Sequence, residues 1–261
     1  MKAQEKLITI ERKALLLGKR LSPSIRDYPT DILDLIIFHK LHLAMPLESA
    51  IRSFRNLKAQ FVDWNEVRVS TLREIQEEIG KTPDSLSLAV FIKDLLEFVH
   101  HEHQNLSLEF LAEQNLGEIR RYLKQVRGLD NSTVNLILRV RKEHPVLPLN
   151  RATETVVDRL GILRKSEKRD RKERVLHELV NPEKALFLHH FLLNHSQEYC
   201  PPDEASVDCA RCCVRHVCAF YEGAGAKARR RSTPRQGGGT SGANGAGSGA
   251  RAAGKGRTAH S

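Results

Sequence analysis

All five cysteines of this 261-residue chain lie in one stretch, YCPPDEASVDCARCCVRHVC, between Cys200 and Cys218. Thiols crowded this tightly force the segment to close around something, either disulfides or a metal. The N-terminus, MKAQEKLITIERKALLLGKR, alternates charged with apolar residues and has no continuous apolar core before a small-residue cleavage site. No secretory leader is therefore expected, a cytoplasmic location is, and in that compartment metal is favoured over disulfides. With Cys213 set aside, Cys200, Cys209, Cys212 and Cys218 form a C-x8-C-x2-C-x5-C pattern. Four thiolates suit a [4Fe–4S] cluster, and zinc held by four cysteines, or by three with His216, is the alternative the spacing leaves open.

The rest of the chain is written for helices. Aromatics make up 5% of it, and Leu, Ile and Val carry the apolar periodicity with few turn signals. No stretch approaches the roughly 18 apolar residues of a membrane span. Asp31 opens a helix to about Ala44, Pro46 begins one to about Val62, and Thr71 caps a short one closed by Gly80. Asp84 or Ser85 precedes a longer helix through Phe98 and His100, Ser107 opens a short one, and 117–126 reads as another. The turn Arg127-Gly128-Leu129-Asp130-Asn131 leads into 132–142, followed by helices over 150–160, 166–180 and 182–195, with Gly161 closing the first of these three. From Gly223 onward the sequence is Gly, Ala, Ser and Arg without apolar period, which predicts a disordered tail. Eight of the 42 basic residues sit there with no acid, leaving 34 basic against 32 acidic residues in the body. A folded nucleic-acid surface must then come from local placement of charge, while the tail suits either sequence-blind phosphate binding or simple solubility.

The segment IRRYLKQVRGLDNSTVNLILRVRKEHPVLPLNRATETVVDRLGIL, from Ile119 to Leu163, resembles the helix–hairpin–helix of DNA glycosylases related to endonuclease III. Gly128-Leu129-Asp130 stands for the hairpin, and Asp158-Arg159-Leu160-Gly161 closes the later helix. FVDWNEVRVS, Phe61 to Ser70, is also similar to segments of that family, and with the terminal cysteines the resemblance spans nearly all of 30–221. It implies an all-α fold: a helical barrel with the hairpin over 30–144, and an iron–sulphur domain formed by 1–29 and 145–222, before the basic tail 223–261. It also decides for iron over zinc, and implies double-stranded DNA as partner, with Gly128, Leu129, Asn131 and Ser132 at the phosphate. No small-molecule substrate is evident. A glycine turn between helices lets backbone N–H groups and a helix N-terminus face one phosphate, which positions DNA without reading its sequence.

The chain departs from the family at its reactive positions. The second hairpin glycine falls at Asp130, whose charge opposes phosphate unless it turns away, and Asn131 is expected to absorb the left-handed geometry. The family's nucleophilic lysine falls at Ser132, and a hydroxyl cannot form an imine. The family's aspartate falls at Asn150, which keeps a helix cap but loses the charge that stabilises a sugar cation. The resemblance thus implies a DNA-binding [4Fe–4S] protein of the base-excision repair class without lyase and without glycosylase activity, a pseudoenzyme. Two alternatives are an active glycosylase using a displaced acid, from Asp130, Asp63, Glu66 or Glu154, and a scaffold that no longer binds DNA. With four cysteines no iron position stays open, so the cluster reads as structural. Arg211, Arg215 and His216 either face phosphate or offset the cluster's charge. His100, His101 and His103, and likewise His189, His190 and His195, read as helix-surface or core-edge residues, and Trp64 as a core anchor.

Overall fold

The structure, a computed structural model, describes residues 5, 7–9, 29–142, 148–180 and 185–223. Pro182, proposed above as a helix start, and the tail beyond Gly223 lie outside the described residues. Helices account for all the regular structure described. They are α1 (Ile32–Ala44), α2 (Leu47–Gln60), α3 (Trp64–Val69), α4 (Leu72–Ile79), α5 (Ser85–His103), α6 (Leu116–Leu123), α7 (Asn131–Lys142), α8 (Arg151–Leu160), α9 (Arg169–Leu179) and α10 (Ala185–Glu198). Local chemistry sets their ends. Asp31 caps α1 by accepting from the Asp34 N–H at 2.9 Å, and Thr71 with Glu74 forms a capping box on α4. Gly80 and Gly161 close α4 and α8 with φ of 90° and 70°, where a side chain would be strained.

Four expectations are corrected. The helix expected at Ser107 is a single 3-10 turn, Glu109–Ala112. The helix expected to run to about Val62 ends at Gln60, and a separate short helix follows, α3, capped by Asp63. The helix assigned from residue 117 begins at Leu116, because Asn115 and Glu118 make a second capping box. Gly223, taken as the first tail residue, ends a last helical turn over 219–223.

Buried side chains gather into two clusters. The first, from Ile32 to Leu138, is built by α1 to α7. The second draws Leu7, α8, α9, α10 and the cysteine segment together, from Leu149 to Cys218. Helix α1 is the hinge of this arrangement: it is buried nearly all round, packing on α2, α5 and α7. Its histidines, His39 and His42, reach α10. Trp64 is buried, and its indole N–H donates to Asp34, which also pairs with Lys58 at 3.3 Å. Among the described residues no helix is long and apolar enough to cross a membrane.

The α8–α9 seam carries a buried cation. Lys172 has 1% of its side chain exposed and lies 2.7 Å from Asp158 and 3.0 Å from Glu154, which Arg169 also holds. Burial disfavours its charge, but the two carboxylates outweigh burial and raise its pKa. Replacing Lys172 by Ala strands Asp158 in a half-buried seam and is expected to cost about 3 kcal/mol in urea unfolding. Loss of under 0.5 kcal/mol, roughly the level of a surface pair, would refute this role.

Candidate functional site: hairpin, histidine seam and cysteine cavity

Helix α6 gives way to the hairpin, where Gly128 takes φ 76° and a Cβ would come 3.3 Å from the Phe91 ring. Glycine is therefore required by the conformation, and any side chain would also press on the Phe91 ring. Asn131 does not absorb any left-handed geometry; among the described non-glycine residues only Gln104 has positive φ. Instead Asn131 is the first residue of α7, and the strain is avoided because Asp130 caps that helix.

The Asp130 carboxylate folds back onto the start of α7, with 37% of its side chain left exposed. It accepts from the Thr133 N–H and the Thr133 hydroxyl, each at 3.0 Å, and from the Ser132 hydroxyl. Lys40 of α1 completes the clamp, 3.4 Å from Asp130 and 3.0 Å from the Gly128 carbonyl oxygen, with its ammonium 4.7 Å from the Phe91 ring centre. Burial pushes the Asp130 carboxyl up, but Ser132, His39, Thr133 and Lys40 outweigh burial and hold it at about 2. The chain therefore supplies its own anion to the N-terminus of α7. Ser132 is buried at 2% exposure, with its hydroxyl committed to Asp130.

Asn150 caps α8. Its side-chain oxygen accepts from the Thr153 N–H at 2.8 Å, and the Thr153 hydroxyl accepts from the Asn150 N–H at 2.9 Å. The other acids named from sequence are also occupied: Asp63 caps α3, Glu66 accepts from the Val62 N–H, and Glu154 pairs with Arg169 and Lys172. The sequence gives no hint of Glu173 of α9, which lies 3.5 Å from the Asn135 side-chain amide. Its carboxyl is raised, first by burial and then by Asp170, against the pull of the Leu149 N–H next to Asn150.

Between hairpin and α10 runs a seam of histidines that corrects their assignment to the surface or core edge. His39 and His189 are fully buried, His42 likewise, and His190 and His195 nearly so. His39 Nδ1 lies 3.0 Å from the Thr133 hydroxyl, and its Nε2 lies 3.1 Å from His189 Nε2. His189 Nδ1 lies 3.1 Å from the Pro148 carbonyl oxygen. His42 contacts Asn194 at 3.3 Å and stacks on His190 with ring centres 5.6 Å apart. Burial, reinforced by His189, lowers His42 to about 3, and burial lowers His189 to about 4. Burial and then the neighbouring rings hold His39 and His190 well below the ordinary imidazole value. The other trio behaves as expected at the surface end of α5: His101 is exposed, and His103 packs on Phe110 and Tyr122.

Cys200, Cys209, Cys212 and Cys218 line one narrow cavity, with Arg159, His195 and Phe220 also on its wall. No disulfide joins any of the five cysteines. Cys213 is half-buried and does not line the cavity. Arg159, buried at 8% exposure, ties α8 to this segment. Its guanidinium donates to the carbonyl oxygens of Cys200, Pro201 and Pro202 and lies 3.3 Å from the Cys200 sulphur. The Cys218 thiol donates to the Arg159 carbonyl oxygen at 3.4 Å, and Cys212 lies 3.6 Å from His195 Nε2. Burial, and then mutual repulsion with the other sulphurs, raises the Cys209 thiol; burial pushes Cys212 up to about 11. Among the described residues no three potential ligands converge as a single-ion site requires. Four thiols on one cavity wall are nevertheless the donor set that a cube of irons with one thiolate each would take. Arg211 is exposed and pairs with Asp208 at 2.6 Å, so it faces solvent beside the cavity.

No family model matches the chain. A provisionally named DNA glycosylase of Arabidopsis thaliana is 25% identical over 146 residues, covering 56% of this chain and 50% of that one. Endonuclease III of Sulfolobus acidocaldarius is 24% identical over 135 residues, 52% of this chain and 57% of that one. Protein ROS1A of Oryza sativa is 27% identical over 100 residues, 38% of this chain and 5% of that one. The chain thus spans about half the length of the first two relatives. Among solved structures, a non-covalent endonuclease III–DNA complex superposes with TM-score 0.59 and 17% identity, covering 89% of this chain and all of that one. A thermostable thymine-DNA glycosylase gives 0.54 and 14%, covering 83% and 99%. The fold is that of endonuclease III.

Proposed function

We propose that this chain, related in sequence to the endonuclease III-like helix–hairpin–helix DNA glycosylases of base-excision repair and sharing their fold, binds duplex DNA without lyase or base-excision chemistry. The observation that carries this reading is the pair of committed side chains at the family's reactive positions. Asn150 is engaged as the cap of α8, and Ser132 is buried against Asp130. Neither offers an amine for an imine nor a carboxylate for a sugar cation.

A [4Fe–4S] cluster is the group the cysteine cavity would hold, through Cys200, Cys209, Cys212 and Cys218. Bound there, it would supply cross-linking of the C-terminal segment and no open coordination site. Arg159 would then orient the loop through the Cys200, Pro201 and Pro202 carbonyls and offset thiolate charge at Cys200. The two buried clusters correspond in this reading to a hairpin domain and a cluster domain, with α1 and α10 at their joint.

DNA would meet the hairpin through Gly128, Leu129 and Asn131, with Asp130 held back by Lys40, Ser132 and Thr133. Incubated with duplexes bearing oxidised, mispaired or abasic sites, the protein is expected to release no base, cut no strand and trap no borohydride-reducible adduct. Duplex binding should persist when 223–261 is removed. A Ser132→Lys/Asn150→Asp double variant is expected to gain abasic-site cleavage by about 100-fold or more over the parent. Base release by the unaltered protein would sink the inactive reading, and Glu173→Gln would then identify the raised carboxyl as the acid.

A further inference from the structure

The hydrogen-bonded chain from the hairpin to the loop before α8 has more links than protons. It runs Asp130 Oδ2, Thr133 Oγ1, His39, His189 and Pro148 O, with separations of 3.0, 3.0, 3.1 and 3.1 Å. Both ends only accept: one is an ionised carboxylate and the other a carbonyl oxygen. Four links need four protons. The Thr133 hydroxyl supplies one, and each neutral imidazole supplies one.

Every assignment of tautomers therefore leaves one link with two lone pairs facing each other. If His189 donates from Nδ1 to Pro148 and His39 from Nδ1 to Thr133, the bare pair is Nε2 against Nε2. If the rings are turned over, it moves to Pro148 or to Thr133. One added proton fills all four links at once.

We propose that the His39–His189 pair is a buried binding site for a single proton, shared between the two Nε2 atoms. Asp130 serves as its counter-charge through Thr133. The groups facing the pair are consistent with one proton and no more. His42 and Lys40 on α1 and His190 on α10 oppose positive charge, and Asp130 at the start of α7 is the acid among the described groups that favours it. Because the pair lies between the hairpin and α10, the proton ties Asp130 to the joint of the two buried clusters.

Two substitutions separate this site from ordinary histidine titration. Asp130→Asn keeps the shape but places an amide donor at the end of the chain, so the fourth proton comes from the side chain. Thr133→Val cuts the chain, leaving two links for two imidazole protons. Nitrogen-15 spectra of the histidine rings in the full-length protein, recorded between pH 7.5 and the onset of unfolding, give the test. His39 and His189 are expected to shift together at one midpoint. That midpoint should fall by at least one pH unit in either variant. Independent titration of the two rings, an unchanged midpoint in the folded variants, or proton entry only with loss of the folded amide spectrum would each overturn the proposal.

Discussion

Acidification from pH 7 to pH 5 is expected to remove several kcal/mol of folding free energy, long before most carboxylates titrate. The histidine seam is the cause. An imidazole in the unfolded chain takes a proton near pH 6.5, whereas burial lowers His42 to about 3 in the fold and holds His190 well below its ordinary value. These groups have depressed folded pKa values, so the unfolded state binds more protons throughout the window between. Stability from keeping them neutral is full above about pH 6.5 and declines as pH falls toward 3. By pH 5 His42 alone accounts for about 2 kcal/mol, a large part of a typical 5–15 kcal/mol total, and His190 adds in the same direction. The first proton on the His39–His189 pair enters the fold and does not add fully to this loss. Urea unfolding at several pH values measures the slope. His42→Gln should lower it by about one proton, or about 1.4 kcal/mol per pH unit below pH 6. A midpoint that stays constant between pH 7 and 5.5 would show that the seam opens to water and is not buried in solution.

Much of this architecture is legible in the sequence because it is local. Asp31, Thr71 and Gly161 mark helix ends through contacts with residues three or four positions away, so their chemistry can be read from a short window. The Asn115-Leu-Gly-Glu118 capping box was equally local and was obscured by the glycine inside it. The cysteine spacing is compact for the same reason. The seam is different: His39 and His189 are 150 positions apart, and each stands in an apolar helical run where a histidine carries no signal of its partner. Asp130 shows a third case. Its charge was visible, but which way it points depends on Lys40, 90 positions earlier on another helix. Lys172, one cation in a charged helix, is likewise buried only because α8 brings two carboxylates to it.

Loss of a single cavity-lining cysteine is expected to undo the C-terminal segment while the hairpin cluster survives. Residues 199–222 contain two 3-10 turns and a final helical turn, too little regular structure to hold themselves. Their apolar contribution to the second cluster comes from Cys200, Val214, Val217 and Cys218, so two of its four buried members are themselves proposed ligands. In a segment of this kind the free energy of binding the inorganic group is largely the free energy of ordering the loop. Cys200→Ser or Cys218→Ser should therefore drop iron from about four per chain to well under one, with loss of the broad visible absorption and of acid-labile sulphide. Amide exchange should rise across 199–222 and at Arg159, whose guanidinium contacts end on the Cys200, Pro201 and Pro202 carbonyls. Exchange in α1 to α7 should change little, because their core is built without these residues. Cys213→Ser is the control: its position off the cavity wall predicts full iron content. A colourless protein carrying one zinc, or a Cys213→Ser variant as depleted as the others, would replace the cluster with a different site.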